Sequence, residues 1–133
     1  ALDEGRDLLL VDGPPGIGCP VIASIAGADL ALLVAEPTVS GAHDLERALG
    51  TARHFGVPAL VCLNKADLSP SQARRIEAFC QAEDIPLVGR IPYDTVVTEA
   101  MVQGQPVTAF SDGPVTEELR RTWQKIKEYL DGR

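Results

Sequence analysis

The sequence predicts an α/β protein, a parallel sheet of about four strands flanked by helices. Four short apolar runs, at residues 7–12, 29–36, 58–64 and 85–91, are nearly continuously hydrophobic rather than alternating. That is the pattern of strands covered on both faces. Stretches with helical periodicity separate them. Each run ends in polar or tight-turn residues: Asp12-Gly13, Glu36-Pro37, Asn64-Lys65-Ala66-Asp67 and Pro92-Tyr93-Asp94. The order β-α-β-α-β-α-β implies right-handed crossovers.

Taken in order, the run at 7–12 is the first strand, and a short apolar helix at 20–28 follows it. The second strand is 29–36. A helix over 41–55 comes next, with Leu45, Ala48, Leu49 and Ala52 on one face. Ser40 is placed to cap it, and Gly56 to end it just before Val57-Pro58. The third strand, 58–64, leads to Ser69-Pro70, which reads as the N-cap and first residue of a helix through Ala82. That helix carries Ala73, Ile76, Phe79 and Cys80 on one face. After the fourth strand, Asp94 or Thr95 caps a short helix at 96–102, closed by Gln103-Gly104-Gln105-Pro106. A polar break at 111–114 precedes a final helix, 115–130. Its Leu119, Trp123, Ile126 and Leu130 form a stripe at steps of 4, 3 and 4. The charges on its other face are mixed in sign, which favours docking on the domain over lying on a membrane. The whole chain, 1–133, is expected to be one domain, with a core to about residue 110 and a C-terminal helix over 111–133.

The composition is that of a globular protein, 45% hydrophobic and 23% charged over 133 residues. A chain of this length buries roughly two-thirds of its unfolded surface. No apolar run approaches the roughly 20 residues of a membrane span. The net charge is −7, and no Lys/Arg run exceeds two residues, which argues against a nucleic-acid surface. Cys19, Cys62 and Cys80 are odd in number and lack C-x-x-C spacing. They suit a reducing cytoplasm rather than a disulfide framework or a complete metal site. Cys62 and Cys80 fall on apolar faces and read as packing residues. Cys19 is open between packing and a surface thiol at a helix start. The chain enters a strand almost at once, without an initial Met, so a fragment of a longer protein is expected.

Chemistry is expected at the strand ends, because open α/β sheets bind ligands beyond the carboxyl ends of their strands. Gly13 and Gly18 bracket four residues, as in the phosphate-binding G-x-x-x-x-G-K-[ST] loop, but Cys19 and Pro20 stand where Lys and Ser or Thr belong. The alternative reading centres on Asp12. An acid ending a buried strand and followed by glycine is the Walker B arrangement, in which the carboxylate holds Mg2+, usually through water. A strand-ending Asp that caps a turn fits the same letters. Asn64-Lys65-Ala66-Asp67 matches the N-K-x-D guanine-reading motif of G proteins, and also a plain strand-end turn. Asp94 suits a helix cap, and Pro92 a turn.

Together and in this order, these strand ends resemble the MinD/ParA/Mrp family of P-loop ATPases, the deviant Walker A group that includes the nitrogenase iron protein. "DLLLVDGPPGIG" looks like its Walker B and switch II. "LVCLNKADL" looks like the strand ending in the base-contacting Asn, and "IPYDTVVTEAMVQGQPV" like its I-P-x-D…A…G-x-P-V tail. The phrases "DGPPGIGCP" and "NKADL" are similar to the branch with an inserted ferredoxin domain. The resemblance covers residues 7 to about 110. It implies that Asp12 is the Walker B carboxylate holding Mg2+, and that Gly13 and Gly16 are switch II positions near the γ-phosphate. It implies that Asn64 reads adenine, with Lys65 and Asp67 beside it, and that Pro92 and Asp94 pack next to the base. It further implies ATP and Mg2+ as cofactors, a homodimer formed across the nucleotide, and a role in iron–sulfur or redox protein maturation, with any iron–sulfur cluster outside this chain.

The deviant Walker A, K-G-G-x-G-K-[ST], is missing, and no lysine precedes Lys65. The resemblance therefore implies the C-terminal half of such an ATPase, inactive by itself because its phosphate cradle is absent. It also implies that the first two strands lose a shared neighbour, so that they pair directly or take a second chain between them. Two other functions compete with this one: half of a GTPase, with Asn64-Lys65-Ala66-Asp67 reading guanine, or a non-catalytic interaction module.

Overall fold

The computed structural model describes residues 8–13 and 19–132. The elements run α1 (Cys19–Ile25), β1 (Ala31–Ala35), α2 (Val39–His54), β2 (Ala59–Asn64), α3 (Pro70–Ala82), β3 (Leu87–Ile91), α4 (Val96–Val102), α5 (Val107–Phe110) and α6 (Pro114–Asp131). The three strands form a parallel sheet in the order β1-β2-β3. Both crossover helices, α2 and α3, bury their apolar stripes on the same face, as successive right-handed crossovers require. There Leu45, Leu49 and Ala52 of α2 and Ile76 and Cys80 of α3 enclose Leu33, Val61 and Leu63.

Helix α6 covers the opposite face. Ile126 packs on Leu60 and Val88, and Val115 on Cys62 and Ile91. The docking expected for this helix is thus observed, and Leu119, Ile126 and Leu130 of the expected stripe face the sheet, but Trp123 does not. Trp123 is 38% exposed, while Thr122, one residue earlier, is buried. Gly89 is the cause. A Cβ there would collide with the Thr122 hydroxyl oxygen, so the bare backbone of β3 admits Thr122 and rotates Trp123 to the margin.

The sheet has three strands among the described residues, not about four. Residues 8–13 belong to no strand, and Leu8, Leu9, Leu10 and Val11 are 44–81% exposed. A β-strand is held by main-chain partners on a neighbour, and this run has none among the described residues. It does not pair directly with β1. The edge strand β1 is covered on one side only: Ala31, Leu33 and Ala35 are buried, whereas Leu32 and Val34 are 40% and 63% exposed.

Several helix ends follow the sequence signals. Ser69 and Pro70 open α3, and α2 stops ahead of Gly56 in a left-handed conformation, φ 66°. The cap of α2 differs. It is Thr38, not Ser40, whose hydroxyl oxygen accepts the Gly41 N–H at 2.8 Å. The chain folds so tightly there that a Cβ on Gly41 would strike the Glu36 carbonyl oxygen, which starts the helix two residues earlier than expected. The single turn α5 carries no periodicity long enough to be read from sequence.

Candidate functional site

The carboxyl ends of β1, β2 and β3 meet on one edge of the sheet, bringing Glu36, Asn64 and Pro92 to neighbouring loops. Asn64 is the last residue of β2 and half-buried; its Oδ1 accepts the Lys65 N–H at 3.1 Å. Its amide nitrogen can donate to a ring nitrogen. Lys65 then takes a left-handed conformation, φ 54°. This is uncommon for a residue with a side chain and concentrates at functional turns. The turn closes with Leu68 N–H donating to the Lys65 carbonyl at 3.1 Å.

Two hydrogen bonds join this turn to the loop after β3. Ala66 N–H donates to the Ile91 carbonyl at 2.9 Å, and Tyr93 N–H donates to Asp67 Oδ1 at 2.8 Å. Asn64 lies opposite Ile91 in the sheet, so these bonds carry the β2–β3 connection past the last ladder pair. Pro92 is half-buried between them. Asp94 Oδ1 accepts the Val96 N–H at 3.0 Å and so caps α4, as its position before that helix suggests. Lys65 Nζ lies 3.3 Å from Glu36 Oε1, an exposed ion pair that bridges the ends of β2 and β1. Such pairs contribute about 0–1 kcal/mol, so this one orients the lysine more than it stabilises the fold.

Sequence reasoning singled out Asn64, Lys65, Asp67, Pro92 and Asp94, and the structure brings them to adjoining loops. It missed Glu36 as the partner of Lys65 and Tyr93 as the partner of Asp67. A glutamate ending β1 was the signal for the first. The second is a main-chain donor, for which a sequence offers none. Asp12 and Gly13 lie in the exposed run rather than at the end of a buried strand. A methyl on Gly13 would rest 3.5 Å from Ser24 of α1. Gly16 lies outside the described residues, as does the side chain of Cys19.

Cys62 and Cys80 are buried, as expected of packing residues. Burial, and then the negative charge of Glu118, pushes the Cys62 thiol up to about 11. Burial, followed by Glu77, also raises Cys80, against a smaller lowering by Arg90. Both stay protonated at neutral pH and make poor metal ligands. Among the described residues no group of three or more His, Cys, Asp or Glu could hold a metal ion. No helix among them is long and apolar enough to cross a membrane.

The three-layer arrangement, a parallel sheet with helices on both faces and polar groups at the carboxyl ends of its strands, is that of a P-loop NTPase-like α/β fold. Over 96% of its length the chain superposes on MinD cell division protein of Aquifex aeolicus with a TM-score of 0.80 and 22% identity, covering 56% of that protein. It covers 49% of the septum site-determining protein MinD of Pyrococcus horikoshii, solved with Mg-ADP, at a TM-score of 0.76 and 21% identity over 90% of the chain. No protein-family model matches. In sequence the chain is 29% identical to an uncharacterized protein of Methanocaldococcus jannaschii, over 93% of this chain and 41% of that protein. It is 23% identical to an uncharacterized ATP-binding protein of the same organism, over 95% and 48%. It is 24% identical to a cytosolic Fe-S cluster assembly factor Nubp1 homolog of Drosophila willistoni, over 92% and 46%. In motifs, sequence and fold the chain resembles the MinD/ParA/Mrp P-loop ATPases, and it spans about half the length of the curated relatives it matches.

Proposed function

We propose that this chain is the base-binding and γ-phosphate-sensing half of a MinD-like ATP-binding protein. The observation that carries the reading is the pair of joined loops at the ends of β2 and β3, which hold Asn64 and Pro92 on one edge of the sheet. In this reading Asn64 contacts adenine, Lys65, Asp67, Pro92 and Asp94 frame the base, and Asp12, Gly13 and Gly16 face the γ-phosphate. Asp12 is exposed, and a single open carboxylate suits Mg2+, which keeps several waters and takes further ligands from phosphate oxygens. When bound, the metal would neutralise charge on the phosphates; Asp12 would position it through water.

In this reading the phosphate cradle and its lysine lie in a part of the complete protein outside this chain, which spans about half the length of its relatives. The complete protein is proposed to form a homodimer across nucleotide and to work in the cytoplasm, in iron–sulfur or redox protein maturation. The name of the Nubp1 relative supports that role. The chain by itself supplies no cradle and hydrolyses no ATP. Steady-state phosphate release by the purified chain with ATP and magnesium tests this. Background release is expected, and magnesium-dependent turnover that is lost in Asp12→Asn would refute it.

A further inference from the structure

Both charged residues of Asn64-Lys65-Ala66-Asp67 are engaged by the protein itself. Lys65 reaches Glu36 at 3.3 Å. Asp67 Oδ1 accepts the main-chain N–H of Tyr93 at 2.8 Å, across 26 residues of sequence. The letters match a guanine-reading motif, yet a guanine contact would use both oxygens of the aspartate, one for the ring N1–H and one for the exocyclic amine. Here one oxygen already accepts a main-chain N–H, so a guanine contact would have to share that oxygen's remaining lone pair and the orientation this bond imposes on the carboxylate. Adenine makes no such demand, because its N1 is an acceptor and would be repelled by a carboxylate.

Beyond Asn64 and Ile91 the β2–β3 ladder is continued by the Ala66–Ile91 bond and then by the Asp67 carboxylate. A carboxylate accepting a main-chain N–H is a charge-assisted bond, stronger than a neutral one. The left-handed Lys65 turns the chain so that Asp67 can reach across.

We infer that Asp67 is a positioning residue: it fastens the Pro92-Tyr93-Asp94 loop to the turn after Asn64, and thereby shapes a site for adenine rather than reading guanine. The inference rests on the nucleotide-binding reading above. It is tested in the complete protein with Asp67→Ala, which removes the acceptor, and Asp67→Asn, whose carbonyl oxygen retains it. Two measurements are needed: hydrogen exchange at the Tyr93 amide without nucleotide, and competition among ATP, GTP and xanthosine triphosphate. Asp67→Ala is expected to speed Tyr93 exchange and weaken ATP binding, each about tenfold. Asp67→Asn should restore both to within about threefold, with ATP still preferred. A switch from GTP to xanthosine triphosphate in Asp67→Asn would overturn the inference, because it would mean that the carboxylate reads ring donors. Unchanged Tyr93 exchange in Asp67→Ala would overturn it too. If the parent protein binds no nucleotide, the base-site reading and the adenine part of the inference both fail, and Tyr93 exchange alone decides the fastening.

Discussion

Replacing Gly89 with alanine puts a methyl group where Thr122 now sits. The new Cβ would collide with Thr122 Oγ1 and come to 2.9 Å from its Cγ2 and 3.1 Å from its Cβ. Thr122 cannot easily swing aside. It is β-branched, with restricted χ1 in a helix, and its hydroxyl donates to the Glu118 carbonyl at 2.8 Å. Either that bond is lost, at about 1 kcal/mol, or α6 lifts from β3 and loosens Ile126 from Leu60 and Val88. Overpacking of this kind costs about 1–3 kcal/mol. The lower chain entropy of alanine in the unfolded state returns about 0.5–1 kcal/mol. The net expectation is a loss of about 1–2 kcal/mol, read as a lower midpoint of urea unfolding followed by far-UV circular dichroism. Thr122→Ala in the same molecule makes room for the methyl, so the double variant should be more stable than the sum of the singles implies, by about 1 kcal/mol. Strict additivity, or a Gly89→Ala protein as stable as the parent, would refute the packing argument.

Thr38→Ala should cost about 1 kcal/mol in the same unfolding assay through loss of the α2 cap, while Ser40→Ala should cost a few tenths at most. The Cys62 thiol, pushed up to about 11 by burial and Glu118, should react with iodoacetamide at pH 8 at least about tenfold more slowly than a free cysteine. Its folded pKa lies above the unfolded one, so the unfolded state sheds its proton first. Its contribution to stability is therefore full below the ordinary value of 9.0 and is lost as pH rises through about 11. A Cys62→Ala variant, followed by urea unfolding across that range, should show a shallower fall.

Most of the fold was legible because it rests on local patterns. Continuous apolar runs marked β1, β2 and β3, and the helical stripes of α2 and α3 match their buried residues. The strand-end residues were legible for the same reason, since Asn64 and Pro92 directly follow apolar runs. What sequence could not supply was pairing. The run at 8–12 is as hydrophobic as the others, but a strand needs a neighbour, and that depends on distant residues. Trp123 shows a second limit: a stripe locates a helix face to within about one residue, and the partner's shape, here the absent side chain of Gly89, chooses which residue enters. Asp67 shows a third. Its letters fit a guanine motif, while its geometry ties it to the Tyr93 N–H, a contact no motif encodes.

In the proposed complete protein, equilibrium competition between ATP and GTP, repeated with Asn64→Ala, decides whether the turn after β2 reads adenine. ATP is expected to be preferred by at least about tenfold, and Asn64→Ala to weaken its binding by about tenfold or more. A preference for GTP, or ATP binding untouched by Asn64→Ala, would contradict that reading.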